Sequence, residues 1–235
     1  MIRKEKLSIR RWHQVLSVSQ STRLFVVGDI HANFQPLQKK LAQIQFNQHD
    51  ILLCCGDLID RGPQSLECLE WCLNSPNIYS VLGNHEDMAI RARLEHSSFW
   101  LKNWVFNGGS WHHSVNSEKL NTILQKTAST LPILMTVHHQ AHTIGLCHGE
   151  FDHSLWQPIA EQAQINSFEH IEKLLWGRSC LQNKRAPAVI DIDLIIHGHT
   201  PTKTPIRLAN QYWIDTGFIS GLTIAEIQAG QLILN

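Results

Sequence analysis

Residues 24–37 read LFVVGDIHANFQPL, and the fold turns on this stretch. An apolar run from Leu24 to Val27 stops at Gly28, and Asp29 and His31 then stand two residues apart. Leu, Phe and Val in unbroken succession describe a strand buried on both faces rather than one with a wet side. Phe34, Leu37, Leu41 and Ile44 follow at helical spacing. Pro36 falls in the first turn of that helix, where its missing N–H goes unused.

The pattern recurs. ILLCCG (51–56) reads as a second buried strand, and PQSLECLEWCLN (63–74) as a second helix with Leu66, Leu69 and Leu73 inward. NIYSVLG (77–83) is a third strand and HEDMAIRARLEH (85–96) a third helix. A βαβαβα order predicts an α/β core with parallel strands. Residues 99–131 look helical, broken by NGGSW (107–111). Strands then dominate: ILMTV (133–137), HTIGLCH (142–148), DLIIHGH (193–199), QYWIDTG (211–217), LTIAEI (222–227) and QLIL (231–234). One helix, NSFEHIEKLLW (166–176), stands among them. The expected architecture is two packed sheets with a helical face on either side. No shift of composition marks a boundary, so one domain is expected over 1–235, with residues 1–22 as an N-terminal arm.

Composition narrows the function. The 235 residues are 43% hydrophobic, enough for a real core. Twenty basic residues balance 20 acidic ones, which argues against a nucleic-acid partner. No run of apolar residues is long enough for a membrane span or a signal peptide. The 6 cysteines form no disulfide pattern: Cys54 and Cys55 are adjacent, and Cys68 and Cys72 sit at i,i+4. A reduced, cytoplasmic setting is expected. The 15 histidines are many, so position must select any ligands among them.

Position does select. Successive strand-ends carry Gly28-Asp29-Ile30-His31, Gly56-Asp57 with Asp60-Arg61-Gly62-Pro63, and Gly83-Asn84-His85-Glu86. Later ones carry Cys147-His148-Gly149 and His197-Gly198-His199-Thr200-Pro201. Ligands of open α/β sheets bind beyond the carboxyl ends of strands. A single strand-end Asp is more often a helix cap, and a single His in an apolar run is more often a core residue. Oxygen and imidazole donors at so many strand-ends are poorly explained that way. Glycine before each group is expected to let the chain turn sharply.

GDIHANF, GDLIDRGPQS, GNHE and IIHGHTP resemble the signature blocks of metallophosphoesterases, and more narrowly those of the phosphoprotein phosphatase family. NGGSWHH and WIDTG resemble its small bacterial and phage members. The match runs from about Leu24 to the C-terminus. It implies the calcineurin-like sandwich, an α/β fold of four layers in which helices flank two mixed sheets. It also implies a two-metal site. Asp29 and His31 would bind one metal, Asp57 would bridge both, and Asn84, His148 and His199 would complete the second. Oxygen and imidazole donors suit Mn²⁺, with Fe or Zn as alternatives, and call for no thiolate. His85 would be the general acid, held by Asp60. Arg61 and Arg178 would clamp phosphate oxygens, with Arg185 as the rival to Arg178. The implied reaction is direct attack on a phosphoserine or phosphothreonine monoester by a hydroxide bridging the metals. Phosphotyrosine is a further candidate substrate, and the implied partner is a phosphoprotein or phosphopeptide.

Some assignments have competitors. The family's Gly-His-Thr-Pro selects His199 over His197. His148 closes the apolar run TIGLCH, unlike His138, His139, His142 and His153. His112 and His113 read as packing residues. Phosphodiesterases of this superfamily usually carry a second His where this chain has Pro201. Dinucleoside polyphosphate hydrolases commonly lack an Asp matching Asp60. An inactive binding module would be expected to have lost a ligand, and no ligand position is missing. One departure stands out: the family usually writes Gly where this chain has Ala32. The extra methyl is mild unless the backbone there has positive φ.

Overall fold

The computed structural model describes residues 10–161 and 168–234. The first two residues of the helix expected at 166–176, and the start of the expected arm, lie outside them.

The first half builds one sheet in the expected order. Strand β2 (Leu24–Val27) leads through helix α1 (Phe34–Gln43) to β3 (Ile51–Cys54), and α2 (Ser65–Asn74) leads on to β4 (Ile78–Ser80). All three strands are parallel neighbours. Two C-terminal strands, β10 (Ile224–Gln228) and β11 (Gln231–Leu234), extend this sheet on the β2 side in antiparallel fashion. The second sheet has the order β1-β5-β6-β7-β9-β8, formed by His13–Ser17, Leu134–His139, His142–Cys147, Leu194–His197, Gln211–Trp213 and Ile206–Leu208 respectively. Between the sheets in sequence come α3 (Asn84–Arg93), α4 (Ser98–Phe106), a 3₁₀ turn (Gly109–Ser114) and α5 (Ser117–Thr130). Three short helices follow: α6 (Gln157–Glu161), α7 (Phe168–Trp176) and α8 (Ser179–Gln182).

Part of the arm expected over residues 1–22 is the strand β1. Residues 13–17 pair in parallel with β5, and Trp12 donates its indole N–H to Ile159 O at 3.1 Å. The mixed HQVLS sequence hides this strand, because it lies at a sheet edge with a half-exposed face.

Strand periodicity explains the unbroken apolar runs. Leu24 and Val26 of β2, Leu53 of β3, Met135 and Val137 of β5, Ile144 and Leu146 of β6, and Leu194 and Ile196 of β7 fill the layer between the sheets. The alternate residues Phe25, Val27, Leu52 and Cys54 face the helices instead. Both faces are buried, so both sets must be apolar. The 6 cysteines are free and buried, in keeping with the absence of a disulfide pattern.

Candidate metal centre

Every loop that leaves a carboxyl end of β2, β3, β6 and β7 converges on one point with the N-terminus of α3. Asp57 lies at its middle, 2% exposed. On one side, His31 Nε2 is 3.7 Å and His85 Nε2 is 3.9 Å from Asp57 Oδ2. On the other, His148 Nε2 is 3.3 Å from Oδ1. Asn84 Oδ1 stands 2.9 Å from both His148 Nε2 and His199 Nδ1. Asp29 Oδ2 is 4.0 Å from His31 Nε2, and both Asp29 oxygens accept from the His199 backbone N–H.

Two clusters could each hold a cation, His31-Asp57-His85 and Asp57-His148-His199, and Asp57 belongs to both. Tautomers sharpen this. His31 Nδ1–H donates to Ile59 O at 3.2 Å and His148 Nδ1–H to Cys55 O at 2.6 Å. Each ring therefore turns its Nε2 towards carboxylate or amide oxygens. Burial drives the His31 imidazole down to about 3, and burial with the neighbouring His148 and Arg178 charges holds His199 well below the usual histidine range. Imidazole nitrogens of His31 and His148, the Asn84 Oδ1 and the Asp57 oxygens thus crowd together as possible ligand atoms. Divalent cations are what such a set fits.

The backbone here is unusual. His31, Ala32, Asp57, Asp60, Arg61 and His199 all take positive φ, from +46° to +72°. The sharp turns expected at the glycines are shared with these non-glycine residues. Of the glycines that end the strands, Gly56 alone has positive φ (+95°), whereas Gly83 is required by close approach: a Cβ there would lie 2.2 Å from Asp57 N. Ala32 has φ +57° and is fully buried, so its methyl is not mild after all. Left-handed backbone at non-glycine residues costs about 1–2 kcal/mol each.

Glu86 holds these turns in place. Its Oε2 accepts from Asp57 N and Gly83 N, both at 3.0 Å, and its Oε1 accepts from Leu58 N at 2.8 Å and Ile59 N at 3.2 Å. Burial and the Asp57 charge push its carboxyl up to about 7, against the pull of His85, His148 and these donors.

A second device surrounds His85. Its Nδ1–H donates to Asp60 Oδ2 at 2.7 Å. Asp60 is itself buried and accepts from Trp104 Nε1 at 3.0 Å and Trp111 Nε1 at 2.6 Å. Burial works against protonation of His85, but Asp57 and Asp60 overcome it and hold the ring's pKa above the usual value. The two indoles are not apparent from the sequence. NGGSWHH marks the place of Trp111, yet nothing in it says that its N–H reaches a residue 51 positions away. His112 does pack, stacked on Trp104 with ring centroids 4.9 Å apart.

Arg61 spans the two rings, with Nη1 2.8 Å from His31 Nε2 and Nη2 3.1 Å from His85 Nε2. It lines a cavity of about 280 Å³ together with Asp29, His31, Asn33, Gly62, Gly217 and Phe218. Arg178 Nε donates to His199 Nε2 at 3.0 Å from the opposite side, while Arg185 is exposed. His197 stays out of the centre, stacked on Trp213 with its Nε2 2.9 Å from Gln211 Oε1.

The calcineurin-like phosphoesterase family model matches residues 22–203. The chain belongs to the calcineurin-like phosphoesterases. It is a phosphoester hydrolase of the family's divalent-metal type. The serine/threonine-protein phosphatase 1 of Salmonella typhimurium is 35% identical over 95% of this chain and 96% of its own length. A bis(5'-nucleosyl)-tetraphosphatase of Chromobacterium violaceum is 45% identical, over 27% of this chain and 24% of its own. A protein serine/threonine phosphatase of Saccharomyces cerevisiae shares the fold, with a TM-score of 0.61 at 15% identity over 94% of this chain and 82% of that one. No described helix is long and apolar enough to cross a membrane.

Proposed function

We propose that this phosphoesterase is a phosphoprotein phosphatase acting on phosphoserine and phosphothreonine monoesters. The observation that carries the reading is the Asp60–His85 pair at 2.7 Å, buried and braced by two indoles. The alkoxide of a serine or threonine is a poor leaving group and needs a proton as the P–O bond breaks. A phosphate leaving group, with a pKa near 6, needs little help. A dedicated, well-supported acid therefore matches an alkyl monoester better than a phosphoanhydride.

Asp29, His31 and Asp57 would hold one divalent cation, and Asp57, Asn84, His148 and His199 the other. Mn²⁺ suits this donor set. Bound there, the pair would supply positive charge to the phosphoryl oxygens and activate water. Arg61 and Arg178 would bind and orient the phosphate from opposite sides, Arg61 leaving its two rings for the anion. Asp60 keeps the His85 Nδ1 protonated and aims Nε2 at the leaving oxygen.

His85→Asn should lower turnover on a phosphoserine peptide by roughly 10²–10⁴-fold, in the range of general-acid catalysis. The loss should be much smaller on p-nitrophenyl phosphate, whose leaving group needs little protonation. Equal losses on both would remove His85 as the acid. The local match to a tetraphosphatase supports a second reading, hydrolysis of dinucleoside polyphosphates. A higher kcat/KM for diadenosine tetraphosphate than for phosphopeptides would favour it.

A further inference from the structure

We propose that Asp215 is a further carboxylate of the metal centre, a positioning residue that acts on the Asp29 half-site. It belongs to WIDTG, directly after β9, and is 2% exposed. The chain there is pressed against the loop after β2: a Cβ at Gly28 would lie 2.4 Å from Ile214 O and 3.2 Å from Asp215 Cα. The backbone is pinned as well, since Asp215 O accepts from Thr202 N at 2.8 Å and Thr216 Oγ1 donates to Gly221 O at 2.7 Å. The side chain therefore has little choice of direction.

It is aimed at a second carboxylate. The Asp215 carboxyl meets that of Asp29 within hydrogen-bond reach, and its Oδ1 has no hydrogen-bond partner among the described residues. A buried acceptor without a donor costs about 1–3 kcal/mol, and more when charged. The Asp29 oxygens already take the His199 N–H. Two touching acids need a proton or a cation between or beside them. Asp215 Oδ1 differs in this from the carboxylates of Glu86 and Asp60, each of which accepts from an N–H group. Asp215 thus adds negative charge beside Asp29, strengthening that half-site for a hard divalent cation through oxygen rather than sulfur.

The inference rests on the metal-centre reading, and the test separates the two. Chelator-stripped full-length protein is titrated with Mn²⁺ by calorimetry, and the melting temperature of the metal-free form is recorded. In Asp215→Asn one of two Mn²⁺ sites should weaken roughly 10–100-fold, the range seen when a partner of a metal ligand is removed. The metal-free variant should melt at or above the wild-type temperature, because one of two opposed carboxyls has gone. Asp215→Ser, which shortens the side chain, should weaken the same site. Unchanged Mn²⁺ affinity in both variants, or a lower metal-free melting temperature in both, overturns the proposal. Asp57→Asn is the reference: if it too bound two Mn²⁺ normally, the metal centre itself would be wrong.

Discussion

The strands and the loops that leave them obey opposite rules. Leu24–Val27 and Ile51–Cys54 are extended and paired in register, with apolar side chains packed on both faces. A few residues further on, His31, Asp57, Asp60 and Arg61 sit in left-handed backbone, and charged groups are buried against one another. The strands bury surface and stabilise. The loops hold strain and buried charged groups, and they persist because the strands and Glu86 leave them no alternative. Stability and chemistry should therefore respond to different substitutions.

The hardest blow to the loops is Asp57→Asn. It should weaken Mn²⁺ binding at both sites by more than about 100-fold, beyond what loss of an outer partner does. A variant with normal metal content would contradict the shared role of Asp57. The converse test is Leu53→Ala, in the layer between the sheets. Denaturant unfolding should show a loss of about 2–5 kcal/mol, while metal stoichiometry and kcat in the folded state stay unchanged. A Leu53→Ala enzyme that kept its stability but lost its metals would erase the division between strand and loop.

Asp60→Asn acts more finely. Asp60 helps to hold the His85 proton above the ordinary histidine range. Activity that needs this proton should fall as pH rises through the raised pKa. Without the carboxylate the pKa drops, so the alkaline limb of the kcat profile should move to lower pH. A limb that stays in place would assign it to another group. The smallest effect belongs to Ala32→Gly. Glycine relieves the φ of +57° but loses more chain entropy on folding, so the net gain in stability should be at most about 1 kcal/mol. Activity should change little, and a large gain in turnover would mean that strain at Ala32 limits the reaction.

Much of the fold and of the candidate metal centre is legible in the amino-acid order, and the reason is local. Buried parallel strands must be apolar throughout, so their ends are sharp, and polar groups at those ends are conspicuous. That is how Asp29, His31, Asp57, Asn84, His148 and His199 stand out in a chain with 15 histidines. The β1 strand escapes because an edge strand with an exposed face has no such signature. Trp104, Trp111 and Glu86 escape because each acts through a hydrogen bond to a residue far away in the chain.

Amino-acid order alone dictates the succession of strands and helices, the family, and which side chains stand at the crevice. Periodicity and strand-end chemistry are properties of neighbouring residues, and neighbours are what a sequence displays. Packing in three dimensions settles the rest: Asp57 is shared by two clusters, the indoles brace Asp60, Ala32 is strained and Asp215 faces Asp29. Those facts arise where segments remote in the chain are pressed together, and φ angles, tautomers and missing donors exist only there.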